Sequence, residues 1–377
     1  MKKHGFLFLV FLLTMLVGSS VAGSEQENFQ ARRETDLRKL EEVGVLGSVL
    51  SITTQGNEPL IATYGYADIE KRERASADRL YQVGSQTKMF TAAALLILRN
   101  RGKLKLDDAV SDYVAGAPRA GELTIRQLLQ HTGGIGDSIV YFDPPKGTRP
   151  DFEVSFENHL FLGRVAGEQF PPGERWEYNN LGFVILGKVI EAASGQSLSQ
   201  FVRRSILEPL EMNDTYLGSM EPYPESRMAR GYFKDKKSGL AVDTTLPNLT
   251  WASSAGDMVS SAGDLRKWAQ ALLSDSNPIG VGLEDFTADA IALTETGNLV
   301  GYGLGFMKRE IQGRSLWGHG GFIHGYVTLT LIDPSSGTIV QLLTNRHDES
   351  DGIIAAVEDV VAHALDQVPV ASADTRR

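Results

Sequence analysis

Ser85 and Lys88 stand three residues apart in Tyr81-Gln-Val-Gly-Ser85-Gln-Thr-Lys88, ahead of an almost wholly apolar run from Met89 to Leu98. On a helix this spacing puts both side chains on one face, where they touch. Ser85 falls at the helix start, where free backbone N–H groups and the helix dipole favour developing negative charge. Lys88, one turn in, enters apolar surroundings that disfavour its ammonium form and lower its pKa. A serine beside a lysine able to take its proton is an activated nucleophile. A serine cap with a lysine that snorkels outward gives the same four letters, and the pattern arises about once by chance in a chain this long. It needs partners.

Two later stretches could supply them. Tyr178-Asn179-Asn180 follows Pro171-Pro172-Gly173 and lies in a loop just ahead of a helix. A phenol near a lysine ammonium ionises more easily and serves as acid or base. Asn180 offers an amide to orient Lys88 or to bind a substrate carbonyl. The bland alternative is a loop with a half-buried tyrosine. Gly318-His319-Gly320-Gly321-Phe322 sits where a strand should run, yet holds three glycines. Glycines inside a strand mark close approach of a ligand or another backbone; the alternative is a turn between strands. His131, beside Gly133, reads as structural. His319 and His324 stand too far from carboxylates for a metal site.

The elements that must hold these residues follow from patterning. A helix greasy on every side belongs inside a protein, so Met89–Leu98 is expected to be buried, with Arg99 and Arg101 suiting the helix C-terminus and Gly102 capping it. Ahead of it, 25–43 reads as an exposed amphipathic helix, and Val45–Thr53 and Leu60–Tyr66 as a hairpin across Gln55–Pro59. Thr124–Gln127 is a capping box whose helix Gly133-Gly134 ends. Tyr141–Phe156 reads as a surface loop. Leu181–Ala193 is helical and stops at Gly195; Ser197 opens a further helix through Leu207. Glu221–Thr250 is irregular, and Ser261 caps a helix carrying Leu265, Trp268, Ala269 and Leu272. Strands are expected at Tyr302–Phe306, Ser315–Trp317, Gly325–Ile332 and Thr338–Thr344, then an amphipathic helix over Ile353–Leu365. Strands at both ends with helices between predict an α+β fold: an antiparallel sheet built from both chain ends, flanked by helices, with an inserted helical lobe. The α/β lobe is expected over about 24–105 and 295–377, and the helical lobe over about 106–294. Small-molecule sites favour the cleft between such lobes.

Composition bounds the partners. Of 377 residues, 42% are hydrophobic and 22% charged, as in an ordinary globular protein. The net charge of −10 argues against nucleic acid, which calls for a basic stripe. Cysteine is absent, which excludes disulfides and thiolate metal sites. Lys2 and Lys3, the apolar run Phe6–Val17 and small residues up to Ala22 read as a secretory signal over residues 1–22, cleaved near Ala22, so a secreted or periplasmic protein is expected. Any membrane contact would come through that segment if it stayed uncleaved. Gly-x-Ser-x-Gly occurs nowhere, which disfavours an α/β-hydrolase.

Ser85-Gln-Thr-Lys88, Tyr178-Asn-Asn180 and His319-Gly-Gly321, in that order, resemble the three motifs of the serine β-lactamase and penicillin-binding protein superfamily. The Tyr-x-Asn form is similar to the branch of class C β-lactamases, D-alanyl-D-alanine carboxypeptidases, D-aminopeptidases and related esterases. Leu123–Gly133, Pro172-Gly173, Ala252–Gly256 and Trp317–Gly321 add to a resemblance that covers about residues 40 to 365. It implies an acyl-enzyme serine hydrolase without a cofactor, acting on a small-molecule or short peptide substrate, cell-wall peptides among the candidates. Ser85 would be the acylated nucleophile, with Lys88 and Tyr178 sharing its proton and the formal base left open. Asn180 would hold Lys88 and face the substrate. The oxyanion hole would be the N–H groups of Ser85 and of Phe322, next after Gly321. His319 would take a place held by a cationic or polar residue. Gly320 departs from the pattern, standing where many members carry a Thr or Ser hydroxyl that helps to bind a substrate carboxylate; some esterases of the branch have glycine there. Asn345 and Arg346 are candidate substitutes for that donor. The expected activity is ester, amide or D-amino-acid peptide hydrolysis. The alternatives are a D-alanyl-D-alanine carboxypeptidase or class C-type β-lactamase, or a non-catalytic binder on the same fold.

Overall fold

The computed structural model describes residues 26–142, 151–234, 239–294, 297–346 and 351–366. The expected signal over 1–22 and much of the proline-bearing loop lie outside the described residues. In chain order, the hairpin β1 (Gly47–Thr53) and β2 (Leu60–Asp68) is followed by the short β3 (Glu73–Arg74). The short strands β4 (Tyr81–Gln82), β5 (Tyr216–Leu217), β6 (Tyr232–Lys234), β7 (Ala241–Asp243) and β8 (Met258–Ser260) make two small sheets. The chain then returns through β9 (Ile291–Ala292), β10 (Leu299–Tyr302), β11 (Met307–Ile311), β12 (Arg314–Ile323), β13 (Tyr326–Asp333) and β14 (Thr338–Thr344). β1 pairs antiparallel with β14, so both chain ends build one nine-stranded sheet, ordered β3-β2-β1-β14-β13-β12-β11-β10-β9.

The helices are α1 (26–42), α2 (Thr87–Asn100), α3 (Ile125–Leu129), α4 (Phe156–Ala166), α5 (Asn180–Ser194), α6 (Leu198–Val202), α7 (Ser253–Gly256), α8 (Ala262–Leu272), α9 (Leu283–Thr287) and α10 (Asp351–Leu365). β1, β13 and β14 are buried along their whole length, because the sheet is covered on both faces. Successive side chains point to opposite sides of a strand. On β14, Ile339 and Leu343 join the core that holds α2, α5 and α8, while Val340 and Leu342 join a second core under α1 and α10. α1 is therefore amphipathic, with Leu37 and Leu40 inside. Its Gln26 and Gln30 side chains bond the backbone of Ile61 and Thr63 on β2, capping strand groups that would otherwise invite edge pairing.

α2 is buried from Thr87 to Leu98, as its all-round apolarity requires. It ends at Gly102 (φ +67°), whose N–H donates to Arg99 while Lys103 donates to Leu98. α8 lies against β14 and β1, within the stretch expected as the helical lobe.

Several boundaries moved. The Thr124 capping box is present, but α3 ends at Leu129, before the glycines. The expected loop gives way at Ser155, whose capping box with Asn158 starts α4. The helix opened by Ser197 continues past Val202 as a π-helical turn, Arg203–Leu207. The expected strand Tyr302–Phe306 ends at Tyr302: Gly303 donates to Phe306, and Gly305, at φ +73°, turns the chain against α2. A Cβ on Gly305 would lie 2.8 Å from the Ala92 Cβ.

Candidate active site

Ser85 occupies a 3₁₀ turn, Gly84–Gln86, just ahead of α2 rather than in the helix itself. Lys88 is in the first turn of α2 and wholly buried. Its Nζ donates to Ser85 Oγ (3.1 Å), Asn180 Oδ1 (2.9 Å) and the Ala255 carbonyl (2.7 Å). Burial pushes the ammonium down to about 7 against a smaller opposing pull from Asp137. Nζ also lies 4.8 Å from the centre of the Tyr178 ring and 5.4 Å from that of Phe183.

Asn180 opens α5, and Asn179 caps it by accepting the Gly182 N–H. The Asn180 amide orientation is set by Asp137, whose Oδ2 accepts from both Asn180 Nδ2 (2.8 Å) and Asn180 N (3.0 Å). Its other oxygen accepts from Leu181 N and Ile139 N. A carboxylate on free N–H groups at a helix N-terminus is a favourable place for negative charge. With Asn180 Nδ2 donating to Asp137, Oδ1 is left to face Lys88. The close approach of this loop is marked by Gly136, where a Cβ would lie 2.5 Å from the Ala166 Cβ.

Tyr178 shows part of its ring to the cleft, but its hydroxyl is buried. Ser85 influences the hydroxyl, yet the buried Oη has no hydrogen-bond partner. Burial raises the phenol well above its ordinary value; Ser85 pulls it down and Asp137 pushes it further up. The expectation that Lys88 makes the phenol more acidic is overturned, because desolvation dominates and raises it.

The glycine-rich stretch is a strand throughout, as β12, and it runs against the Ser85 turn. A Cβ on Gly321 would sit 1.8 Å from the Val83 carbonyl oxygen, and one on Gly84 3.1 Å from Phe322 N. Gly321 thus brings the Phe322 backbone beside Ser85. Gly320 is different: a Cβ there makes ordinary contacts, with the end of the Phe322 ring at 3.4 Å, Leu329 at 3.7 Å and the Thr328 carbonyl oxygen at 3.8 Å. The resemblance puts a hydroxyl at this position; here glycine supplies none.

His319 is fully buried and is not cationic. Burial first, then Lys88, push it down to about 3. Its Nδ1 contacts the Gly320 carbonyl at 2.5 Å, and its Nε2 meets Tyr302 Oη at 3.1 Å. Tyr302 Oη in turn meets His131 Nε2 at 2.9 Å. His131 is structural in the sense expected: held at φ +58°, its ring lies 4.3 Å from that of Tyr178 at a tilt of 43°, and its Nδ1 accepts the Asn179 N–H.

These groups border a cleft of about 450 Å³ with apolar walls from Ile139, Trp176, Trp251, Met307 and Phe322. Among the described residues that line it, none is Arg, Lys, Asp or Glu. The candidate substitutes for the missing hydroxyl are committed elsewhere. Asn345 accepts the Gly47 N–H at 2.6 Å and donates to Tyr66, and Arg346 is buried with Nη1 on the Val43 carbonyl at 2.6 Å.

The family model described as Beta-lactamase matches residues 28–363. The chain belongs to the beta-lactamase family. Within the wider superfamily of serine β-lactamases and penicillin-binding proteins, it is a β-lactamase-related serine hydrolase. Penicillin-binding protein 4* of Bacillus subtilis (strain 168) is 28% identical over 332 residues, which are 84% of this chain and 72% of that protein. Protein flp of Staphylococcus aureus (strain NCTC 8325 / PS 47) is 26% identical over 87% of this chain, which spans only 65% of that relative's length. The D-amino acid amidase from Ochrobactrum anthropi SV3, in complex with D-phenylalanine, superimposes with a TM-score of 0.79 at 27% identity, covering 90% of this chain and 99% of the amidase. The octameric penicillin-binding protein homologue from Pyrococcus abyssi gives 0.76 at 28% identity over 89% of this chain and 77% of its own.

Ser85, Lys88, Tyr178, Asn180, His319, Gly321 and Phe322 are thus gathered at one β-lactamase-type cleft. Sequence reasoning missed Asp137 and Tyr302. The glycines around Asp137 were the available signal for a close-packed loop; Tyr302 stood at the head of a misplaced strand and carried none.

Proposed function

We propose that this family member hydrolyses esters, amides and D-amino-acid peptides that carry no free carboxylate, through an acyl-enzyme on Ser85. The observation that carries the reading is the hydrogen bonding of Lys88. Two of its three acceptors, Asn180 Oδ1 and the Ala255 carbonyl, accept only; Ser85 Oγ alone can reverse its role. When Lys88 is neutral, its two N–H groups stay on Asn180 and Ala255 and its lone pair turns to Ser85. Lys88 is then the base. Tyr178, held as a phenol, is the acid.

In acylation, Ser85 Oγ bonds to the substrate carbonyl carbon as its proton passes to Lys88. The carbonyl π pair moves onto oxygen, met by the N–H groups of Ser85 and Phe322. The oxyanion collapses, the bond to the leaving alkoxide or amine breaks, and that group takes the Tyr178 proton; the proton on Lys88 restores the phenol. Water then attacks the acyl-enzyme, giving its proton back to Ser85 through the same groups and releasing the carboxylic acid.

The apolar cleft without a charged lining residue, together with the lack of a hydroxyl at Gly320, supports substrates without a free carboxylate over those anchored by one. Likeness to an amidase solved with D-phenylalanine supports D-amino-acid amides within that range. A hydrogen bond to a carboxylate is worth about 1.5–3 kcal/mol, so its absence lowers kcat/KM for penicillins roughly ten- to 150-fold. The test is kcat/KM on p-nitrophenyl butyrate, D-phenylalanine amide, a D-alanyl-D-alanine peptide and benzylpenicillin. Turnover of the first two with weak or no turnover of the last two is expected; efficient penicillin or D-alanyl-D-alanine hydrolysis contradicts it. Export to the periplasm or exterior is proposed on the segment 1–22 alone, and N-terminal sequencing of the mature protein, expected to begin near Gly23, tests it.

A further inference from the structure

The contacts among His131, Tyr302 and His319 have only one consistent arrangement of protons. At one end stands the Asn179 backbone N–H, which can only donate, 3.2 Å from His131 Nδ1. His131 Nδ1 therefore accepts, and in the neutral ring Nε2 carries the proton and donates to Tyr302 Oη at 2.9 Å. The Tyr302 hydroxyl sends its own proton to His319 Nε2 at 3.1 Å. His319 then carries its proton on Nδ1, facing the Gly320 carbonyl, which can only accept, at 2.5 Å. Donor-only and acceptor-only backbone groups close both ends, so the chain has a fixed direction. All three side chains are buried.

A proton added to His319 Nε2 would break this order. The Tyr302 oxygen would have to accept from both rings, and its own proton would lose its partner in a buried place. The groups facing His319 also oppose a second charge: Arg309 on β11 is a cation, Lys88 on α2 is one while it keeps its proton, and Tyr178 and His131 are held neutral.

We propose that Tyr302 is a positioning residue that holds His319 as the neutral Nδ1–H tautomer and so keeps the β12 wall of the cleft uncharged, disfavouring anionic substrates. This rests on the reading of β12 as the substrate-facing strand. Tyr302 does not touch substrate; it acts through His319.

Ring-nitrogen NMR of the ¹⁵N-labelled full chain tests this without reference to turnover. Between pH 5 and 8.5, His131 should show the Nε2–H form and His319 the Nδ1–H form, neither titrating, with each ring assigned by its loss in His131→Gln or His319→Gln. In Tyr302→Phe, which keeps the ring and removes the hydroxyl, His319 should take up a proton within this pH range. At pH 6, kcat/KM for a p-nitrophenyl ester with a free carboxylate on its acyl chain, relative to p-nitrophenyl butyrate, should rise about three- to fivefold, the scale of one modest charge pair. At pH 8.5 the ratio should stay unchanged. A wild-type His319 that titrates near its ordinary value, or carries its proton on Nε2, overturns the proposal, and this needs no variant to fold. A Tyr302→Phe protein with both the His319 signals and the substrate ratio unaltered overturns it too. Should the tautomers hold while no ester or amide is turned over, the proposed function fails and the hydrogen-bond chain stands.

Discussion

At Ser85 the difference between a helix-end serine and a nucleophile is decided by where Lys88 puts its donors. Ser85, Lys88, Tyr178 and Asn180 became legible through the resemblance of three motifs in order, since type and spacing left each motif ambiguous by itself. The sense of the Tyr178 proton was not legible, since spacing does not report burial, and burial reverses the effect of the nearby lysine. Lys88→Ala and Tyr178→Phe should each lower kcat/KM by about a hundredfold or more, the usual scale of general acid–base catalysis. The double variant should lose much less than the product, because groups acting on one proton are not additive. Their stabilities should diverge. Tyr178→Phe deletes a hydroxyl without a partner and should leave Tm unchanged or raised. Lys88→Ala strips the buried Asn180 Oδ1 and Ala255 carbonyl of a donor, at about 1–3 kcal/mol for each acceptor left unmet. Additive kinetic losses, or a destabilised Tyr178→Phe, would contradict this picture.

β12 shows what glycine does in a strand. Its glycines correctly flagged a close approach, but sequence could not say which of them made it. Gly321 is pressed on the Val83 carbonyl, whereas a Cβ on Gly320 would meet its neighbours at ordinary contact distance. Gly321→Ala must push the strand off the Ser85 turn, costing about 1–3 kcal/mol as overpacking does, and it should depress turnover of every substrate by moving the Phe322 N–H. Gly320→Thr should fold normally, since a β-branched residue suits a strand, and should shift the kcat/KM ratio toward penicillins. Loss of all activity in Gly320→Thr with none in Gly321→Ala would reverse these assignments. The misplaced strand at Tyr302–Phe306 has the same lesson: its apolar residues fit a strand, but the turn that Gly303 closes on Phe306, with Gly305 at positive φ against α2, ends it at Tyr302.

Over the whole molecule, the antiparallel sheet and its flanking helices were legible because strand-like runs gathered at both chain ends. Contacts across the middle were not: Asp137 with Asn180, or β8 with the strand before Ser85, depend on how loops fold back. One such contact has a stability signature. Asp257, wholly buried just ahead of β8, is pushed up to about 7 by burial, and the Ser219 hydroxyl on one oxygen pulls back only in part. Its unfolded carboxyl titrates near 4, so between about pH 4 and 7 the folded state keeps a proton that the unfolded chain has lost. Stability from this group is present at low pH and is lost as pH rises through that window. The buried histidines act in the opposite sense, but equally in wild type and variant. The Tm of Asp257→Asn should therefore gain on that of wild type as pH is raised from 4 to 7; parallel Tm curves would show Asp257 to be ordinary.

The central claim is that a Lys88 discharged near neutral pH activates Ser85. The most direct measurement is intact-protein mass spectrometry of labelling by a fluorophosphonate, followed as a rate against pH. One adduct, located on Ser85 by peptide mapping, should form at a rate that rises as pH climbs through about 7, where Lys88 loses its proton, and Lys88→Ala should remove the rise. An adduct on another residue, or a Ser85 labelling rate that is flat from pH 5 to 9, would contradict the account.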